Sequence, residues 1–192
     1  MGWFQRAVKR CADFVCALLG LILLSPLFLL IALIMKFQKN GPVLFAQERI
    51  GYGGKPFTIY KFRTMSTVVE DEGPQLVAQS DNVKSTPFER FLREHHLDEL
   101  PQLWNVFIGD MSLVGPRPPV PSEVAQYTLE DRKRLDVIPG ITCLWQIKGR
   151  SEIPFHEQVR LDKEYILAPS VWKDIAILLK TIPAIIGGKG AY

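Results

Sequence analysis

Cysteine and histidine are scarce in this chain, three of each among 192 residues. The cysteines, Cys11, Cys16 and Cys143, are odd in number and stand at no zinc-ligand spacing. That excludes a fully paired disulfide framework and reads as small apolar residues in a reducing compartment. His95 and His96 are adjacent, so on a helix they point apart, and no third ligand stands at a metal-site spacing. A Walker-type loop, a Gly-x-Gly-x-x-Gly fingerprint and a Gly-x-Ser-x-Gly elbow are all missing, which removes the commonest nucleotide-binding and hydrolase signatures. Internal repeats and low-complexity tracts are missing too. The most informative absence is charge. From Phe14 to Met35 there is not one charged residue, and a run of that length reads as a membrane helix before a core helix.

What is present begins with the flanks of that run. Residues 1–40 carry Arg6, Lys9, Arg10, Lys36 and Lys39 against Asp13 alone, while the formal charge of the whole chain is only +3. The positive excess therefore sits beside the apolar run, which points to anionic lipid headgroups as partner and away from nucleic acid. The run ends in Met35-Lys36-Phe37-Gln38-Lys39-Asn40, with no small-residue cleavage site, which counts against a signal peptide. Ser25-Pro26 falls near its middle, where proline removes a helical hydrogen bond and predicts a kink. Both flanks are basic, so the positive-inside asymmetry of a plain span is missing. These residues alone leave a kinked spanning helix and a re-entrant helix-break-helix open. Either form places the folded domain in the cytosol.

Beyond Asn40-Gly41-Pro42, Val43–Phe45 and Phe57–Tyr60 read as short strands joined by a Gly-rich turn at 51–56. Residues 66–84 read as a polar surface loop. Thr86-Pro87-Phe88-Glu89 has the form of a capping box and predicts a helix start. Pro101 is expected to end or kink that helix, with Asp98-Glu99 just before the break. A second helical piece from Gln102 to Phe107 would stop near Gly109. Gly115-Pro116-Arg117-Pro118-Pro119 reads as a rigid extended segment. Ser122–Leu135, Pro154–Tyr165 and Trp172–Ile186 read as helices, the last either at the membrane surface or in the core. The expected fold is α+β and mainly helical. Its parts are a membrane unit over residues 1–40, broken near Ser25-Pro26, and a compact cytosolic catalytic domain over 41–192 with a short β-hairpin and interfacial helices.

Two sets of side chains could carry chemistry. Asp98 and Glu99 point about 100° apart on a helix, so one could act as nucleophile and the other as metal ligand or base. The same pair could equally be solvated acids near a helix end. Lys61 and Arg63 in Lys61-Phe62-Arg63-Thr64, Arg93 after Leu92, Arg117 between prolines and Arg150 after Gly149 are candidate phosphate ligands, because a guanidinium fork matches phosphate oxygens. Each arginine could also be an ordinary surface ion pair.

The stretch Leu97-Asp98-Glu99-Leu100-Pro101-Gln102-Leu103-Trp104-Asn105-Val106, followed by Gly109-Asp110-Met111-Ser112-Leu113-Val114-Gly115-Pro116-Arg117-Pro118, resembles the catalytic core of the bacterial sugar transferases, the monotopic phosphoglycosyl transferases. Further matches are Gln47-x-Arg49-x-Gly51, Tyr60–Met65, Pro139–Thr142, Leu144–Gln146, Gly149–Ser151 and Leu161-Asp162, so the likeness covers nearly the whole chain. It implies that Asp98 attacks the β-phosphorus of a UDP-sugar and releases UMP. Undecaprenyl phosphate then takes the sugar-phosphate from Asp98. It implies Mg²⁺ as cofactor with Glu99 as ligand, and Arg93, Arg117 and Arg150 near the phosphates. It also implies a re-entrant helix broken at Ser25-Pro26 and residence in the bacterial inner (cytoplasmic) membrane, at the first membrane step of exopolysaccharide, capsule, O-antigen or glycoconjugate synthesis. Glu94-His95-His96 departs from the family pattern before the dyad. The tail Gly187–Tyr192 looks like larger exopolysaccharide-initiating members, which leans toward glucose or galactose. The alternatives are a glycosyltransferase that releases UDP and a non-catalytic membrane scaffold. Neither the sugar nor a homo-oligomeric state is set by the sequence.

Overall fold

The computed structural model describes residues 2–38, 41–64, 68–70, 73–75, 85–149 and 153–186. It opens with two helices, α1 (Trp3–Leu23) and α2 (Ser25–Phe37), bent by 56° about Leu24. The bend falls where the Ser-Pro pair predicts it. Ser25 donates to the Ile22 carbonyl at 2.7 Å, and Pro26 stands in the first turn of α2, where its missing N–H removes no helical bond. No single described helix is long and apolar enough to cross a membrane, but the bent pair is when taken together.

The two faces of this pair differ sharply. Ala17 of α1 packs with Ile59, Val106 and Met111, and Ile31 and Met35 of α2 pack with Phe62 and Leu92. Gly20 lets Leu103 approach closely, so α1 lies tight against the domain. Outward, Phe14, Leu18, Leu19, Ile22, Leu29 and Leu33 are exposed, an apolar face of the kind that marks a membrane or partner contact. The charged residues of α1 do not all follow the lipid expectation. Lys9 donates to the Val114 carbonyl (3.0 Å) and Asp174 (2.7 Å). Arg10 forks onto the carbonyls of Val106 (2.7 Å) and Phe107 (3.0 Å), and buried Asp13 accepts from the Leu113 N–H (3.0 Å). Lys9 and Arg10 thus hold the domain, and the exposed basic residues of α1 and α2 are Arg6 and Lys36.

Strands β1 (Leu44–Ile50) and β2 (Pro56–Phe62) form an antiparallel hairpin, longer at each strand than the sequence pattern indicates. Two three-residue strands, β3 (Val68–Glu70) and β4 (Gly73–Gln75), pair within the segment expected to be loop. Helix α3 (Pro87–Glu94) starts at the predicted capping box, with Thr86 Oγ1 accepting from the Glu89 N–H and Glu89 accepting from the Thr86 N–H. A 3₁₀ segment (Leu97–Gln102) carries the acidic pair and runs into α4 (Leu103–Ile108), which stops at left-handed Gly109. The break therefore precedes the acidic pair and does not fall at Pro101. It is made at His96, whose φ of 52° is the only positive value at a non-glycine among the described residues. Pro101 sits inside the 3₁₀ segment, two residues ahead of α4.

Beyond α4, β5 (Ser112–Val114) pairs in parallel with β6 (Gly140–Thr142), a contact the sequence does not announce. The expected helix over Ser122–Leu135 is two short pieces, α5 (Pro121–Val124) and a 3₁₀ turn (Asp131–Asp136). Thr128 and Asp131 bond each other's side chains and backbone between them, and this local alternative competes with a continuous helix. Helices α6 (Leu144–Lys148), α7 (Phe155–Leu167) and α8 (Val171–Ile186) close the fold around Trp145, Leu161, Tyr165 and Ile177.

Candidate active site

The 3₁₀ segment lies against β2, and α4, which continues it, is tied to the same strand by one side chain. Asn105, fully buried on α4, donates to the Thr58 carbonyl (2.7 Å) and accepts from the Tyr60 N–H (3.3 Å). The amide imitates a neighbouring strand, so β2 and the segment bearing Asp98-Glu99 keep one register. That places Lys61 of β2 opposite Glu99.

Glu99 is held from two sides. Lys61 donates to its Oε1 at 2.7 Å and Arg117 at 3.1 Å. Lys61 and Glu99 are largely withdrawn from water, while the Arg117 side chain keeps 31% of its surface exposed. Burial alone would raise the Glu99 carboxyl, but Lys61 and then Arg117 outweigh it and hold Glu99 well below the usual carboxylate range. Burial lowers Lys61 against the pull of Glu99. The Glu99 charge raises Arg117 against burial. Asp98 is different. Burial, followed by the charge of adjacent Glu99, pushes its carboxyl up to about 7, against the opposing pull of Lys61 and Arg117. Its Oδ1 is buried with no hydrogen-bond partner. A buried acceptor left without a donor is rare and costs about 1–3 kcal/mol. One carboxylate is therefore locked in its charged form while its neighbour titrates near neutrality, the separation expected where paired acids have different duties.

The other sequence candidates lie on different partners. Arg63 is buried, donating from Nε to the Pro42 carbonyl (2.7 Å) and standing 3.7 Å from Glu89. It ties β2 to the start of α3. Arg93 donates to the Thr64 carbonyl at 3.4 Å. Arg150 lies outside the described residues. Among the described candidate cations, Lys61 and Arg117 are the two whose ion pairs converge on Glu99. His95 packs at a tilt of 35° against Phe91, with ring centroids 4.3 Å apart. No group of three or more His, Cys, Asp or Glu that could hold a metal ion occurs among the described residues. Mg²⁺ needs no such cage, because it commonly binds one or two carboxylates plus substrate phosphates and water. The oxygen donors of Asp98 and Glu99, one unpartnered and the other fully charged, fit that requirement.

Arg49 is a site-flanking cation that the sequence candidates do not include. It lies on β1 beside the Pro116–Pro119 segment, and its proximity to Arg117 shows in its acidity. Burial, then the Arg117 charge, lowers it to about 10. The signal available in the sequence is its place in Gln47-x-Arg49-x-Gly51.

Comparison with known proteins shows the family of the chain. The bacterial sugar transferase family model matches residues 4–188. The chain is 40% identical over 195 residues to a galactosyl transferase, CpsE, of Streptococcus agalactiae, covering 95% of this chain and 43% of that protein. It is 36% identical over 202 residues to the exopolysaccharide production protein ExoY of Rhizobium meliloti, covering 96% and 88%. It is 40% identical over 193 residues to a UDP-glucose:undecaprenyl-phosphate glucose-1-phosphate transferase of Caulobacter vibrioides, covering 96% and 72%. The chain thus spans less than half of the first of these relatives and most of the other two. It belongs to the bacterial sugar transferase family.

Proposed function

We propose that this chain transfers a sugar-1-phosphate from a UDP-sugar to undecaprenyl phosphate through a covalent intermediate on Asp98. The observation that carries the reading is the asymmetry of the dyad. Asp98 is buried, unpartnered at Oδ1 and poised near neutrality, while Glu99 is fixed and charged between Lys61 and Arg117. In the first step an Asp98 oxygen bonds to the β-phosphorus and the bond from that phosphorus to the bridging oxygen breaks. UMP leaves with the electron pair, and the sugar-phosphate stays on Asp98 as an acyl phosphate. In the second step an oxygen of undecaprenyl phosphate attacks the same phosphorus, and the Asp98 carboxylate departs. Burial suits this role, since a desolvated carboxylate gives up less hydration on attack.

Lys61 and Arg117 place two positive charges against one negative charge, leaving a cationic surplus beside Asp98 that suits a diphosphate. Glu99 is the residue that would hold Mg²⁺, which supplies charge neutralisation at the phosphate oxygens. Arg93 and Arg150 remain proposed phosphate ligands.

The membrane assignment belongs to the same reading. Residues 1–40 form a re-entrant unit, with the bend at Leu24 and an apolar outer face buried in one leaflet of the inner membrane. Residues 41–192 form the catalytic unit on the cytosolic side. Trp172, Ile175, Leu179 and Ile182 are exposed along one face of α8, spaced as an interfacial helix requires. The site then lies at headgroup depth, where a cytosolic nucleotide and a lipid-borne phosphate can meet. The relatives' names divide between galactose and glucose, so a UDP-hexose is the first donor to try.

The test is nucleotide release from purified, detergent-solubilised protein given Mg²⁺, undecaprenyl phosphate and a panel of UDP-sugars. UMP with one donor supports the reading and names the sugar. UDP would overturn it in favour of a glycosyltransferase that moves the sugar alone. No nucleotide product across the panel would overturn it in favour of a scaffold.

A further inference from the structure

The segment that carries Arg117 has an unusual difficulty. Pro116, Pro118 and Pro119 have no N–H, so the strap can be tied down mainly through its carbonyls. Three of them are held. The Pro116 carbonyl accepts from the Gly140 N–H at 2.9 Å, and the Pro119 carbonyl from the Ile50 N–H at 2.9 Å. The remaining one, Pro118, follows Arg117 directly and accepts from a side chain, Arg49 Nη1 at 3.0 Å. Arg49 is itself immobilised. Its Nε and Nη2 both donate to Gln47 Oε1, at 3.2 and 2.7 Å. Gln47 and Arg49 lie two apart on β1, so their side chains share one face of the hairpin.

A second cation beside Arg117 is an odd choice if only packing were at stake, since two like charges in a partly buried site repel. A rigid guanidinium can donate to the strap and to Gln47 at once, whereas an ammonium lacks this planar fork. We propose that Arg49 is a positioning residue: locked by Gln47 on β1, it grips the Pro118 carbonyl and so fixes the Arg117 guanidinium against Glu99. The hairpin then sets both arms of the clamp, Lys61 from β2 and Arg117 through Arg49 from β1. Arg49 need not touch the reacting atoms. It acts through Arg117, and its loss loosens the strap without emptying the site of charge.

The kinetic part of the test rests on the function proposed above, while the structural part does not. Arg49→Met removes the donors and keeps most of the length, and Arg49→Lys keeps the charge and a single donor nitrogen without the planar fork. Hydrogen–deuterium exchange of the full chain in detergent is expected to quicken in Arg49→Met at the Ile50 and Gly140 amides, which donate to the strap carbonyls, and to stay at the wild-type rate in α7. Unchanged exchange at Ile50 and Gly140 overturns the proposal, and so does quickening spread over the whole chain, which marks a general loss of stability. In turnover, Arg49→Met is expected to lower kcat/KM by roughly 10- to 100-fold, the scale of a small misplacement of a charged group. Arg49→Lys is expected to recover part of that loss. In an Arg117→Met background, Arg49→Met should cost less than about threefold more, because its target is gone. Losses that multiply in full overturn the positioning role. A wild-type chain that turns over no UDP-sugar overturns the proposed function instead, and the exchange result alone then decides for or against Arg49.

Discussion

Asp98→Asn should cost all turnover and yet stabilise the protein, and the two effects have one origin. The wild-type carboxyl titrates at about 7 in the folded state, against about 3.9 in an unfolded chain. Because the folded value lies above the unfolded one, the folded protein binds more protons between about pH 4 and 7. Stability therefore falls as pH rises through that window. At about 1.4 kcal/mol per pH unit the decline is at most about 4 kcal/mol. Glu99 moves the other way. Its folded value is depressed, so its contribution is present above the unfolded value, is lost only as pH falls through the folded one, and is constant from pH 5 to 8. Asparagine is close in shape to the protonated acid and does not ionise. Melting temperatures of the two proteins in detergent should therefore lie close together at pH 5 and separate toward pH 8, with Asp98→Asn higher by several degrees. Parallel curves, or an Asn variant less stable at every pH, would refute the reasoning. A residue whose removal stabilises the fold and abolishes chemistry is one retained for function.

Other consequences can be checked on the same preparation. A Cβ at Gly140 would collide with the backbone of Val114 and Gly115, so Gly140→Ala should destabilise by at least about 1–3 kcal/mol in denaturant melts and spoil the strap. His96 is left-handed, so His96→Val should lower the melting temperature clearly more than His96→Gly does, as a β-branched residue resists that region. Thr86→Ala removes one half of the capping box and should cost about 1 kcal/mol in the same melts.

The features legible in the sequence are the local ones. The capping box depends on four consecutive residues, Thr86 to Glu89, and its chemistry is complete within them. The kink at Ser25-Pro26 and the stop at Gly109 are local in the same way. The Asp98-Glu99 pair is visible as a pair, but its inequality is not. That depends on Lys61, carried on a strand that Asn105 ties to α4, and on Arg117, carried on the proline strap, and both meet Glu99 only in the folded chain. The break before the dyad is easily misplaced because proline is the obvious breaker, whereas His96 takes a conformation its side chain does not advertise. Lys9 and Arg10 flank an apolar run, and such charges look alike whether they face lipid phosphate or carbonyls such as Val114 and Val106. The pairing of β5 with β6 rests on close backbone approach at Gly115 and Gly140, far apart in sequence, and no periodicity encodes it.

The central claim is the covalent step on Asp98, and intact-protein mass spectrometry reads it directly. The protein is incubated with Mg²⁺ and the preferred UDP-sugar, without undecaprenyl phosphate, and quenched rapidly. A covalent step predicts a mass increase of one sugar-phosphate, with UMP release limited to about one per protein. The adduct should be lost on adding undecaprenyl phosphate and absent in Asp98→Asn. Steady UMP production with acceptor present, but no adduct at any time without it, would contradict the covalent step and point to direct transfer between the two substrates.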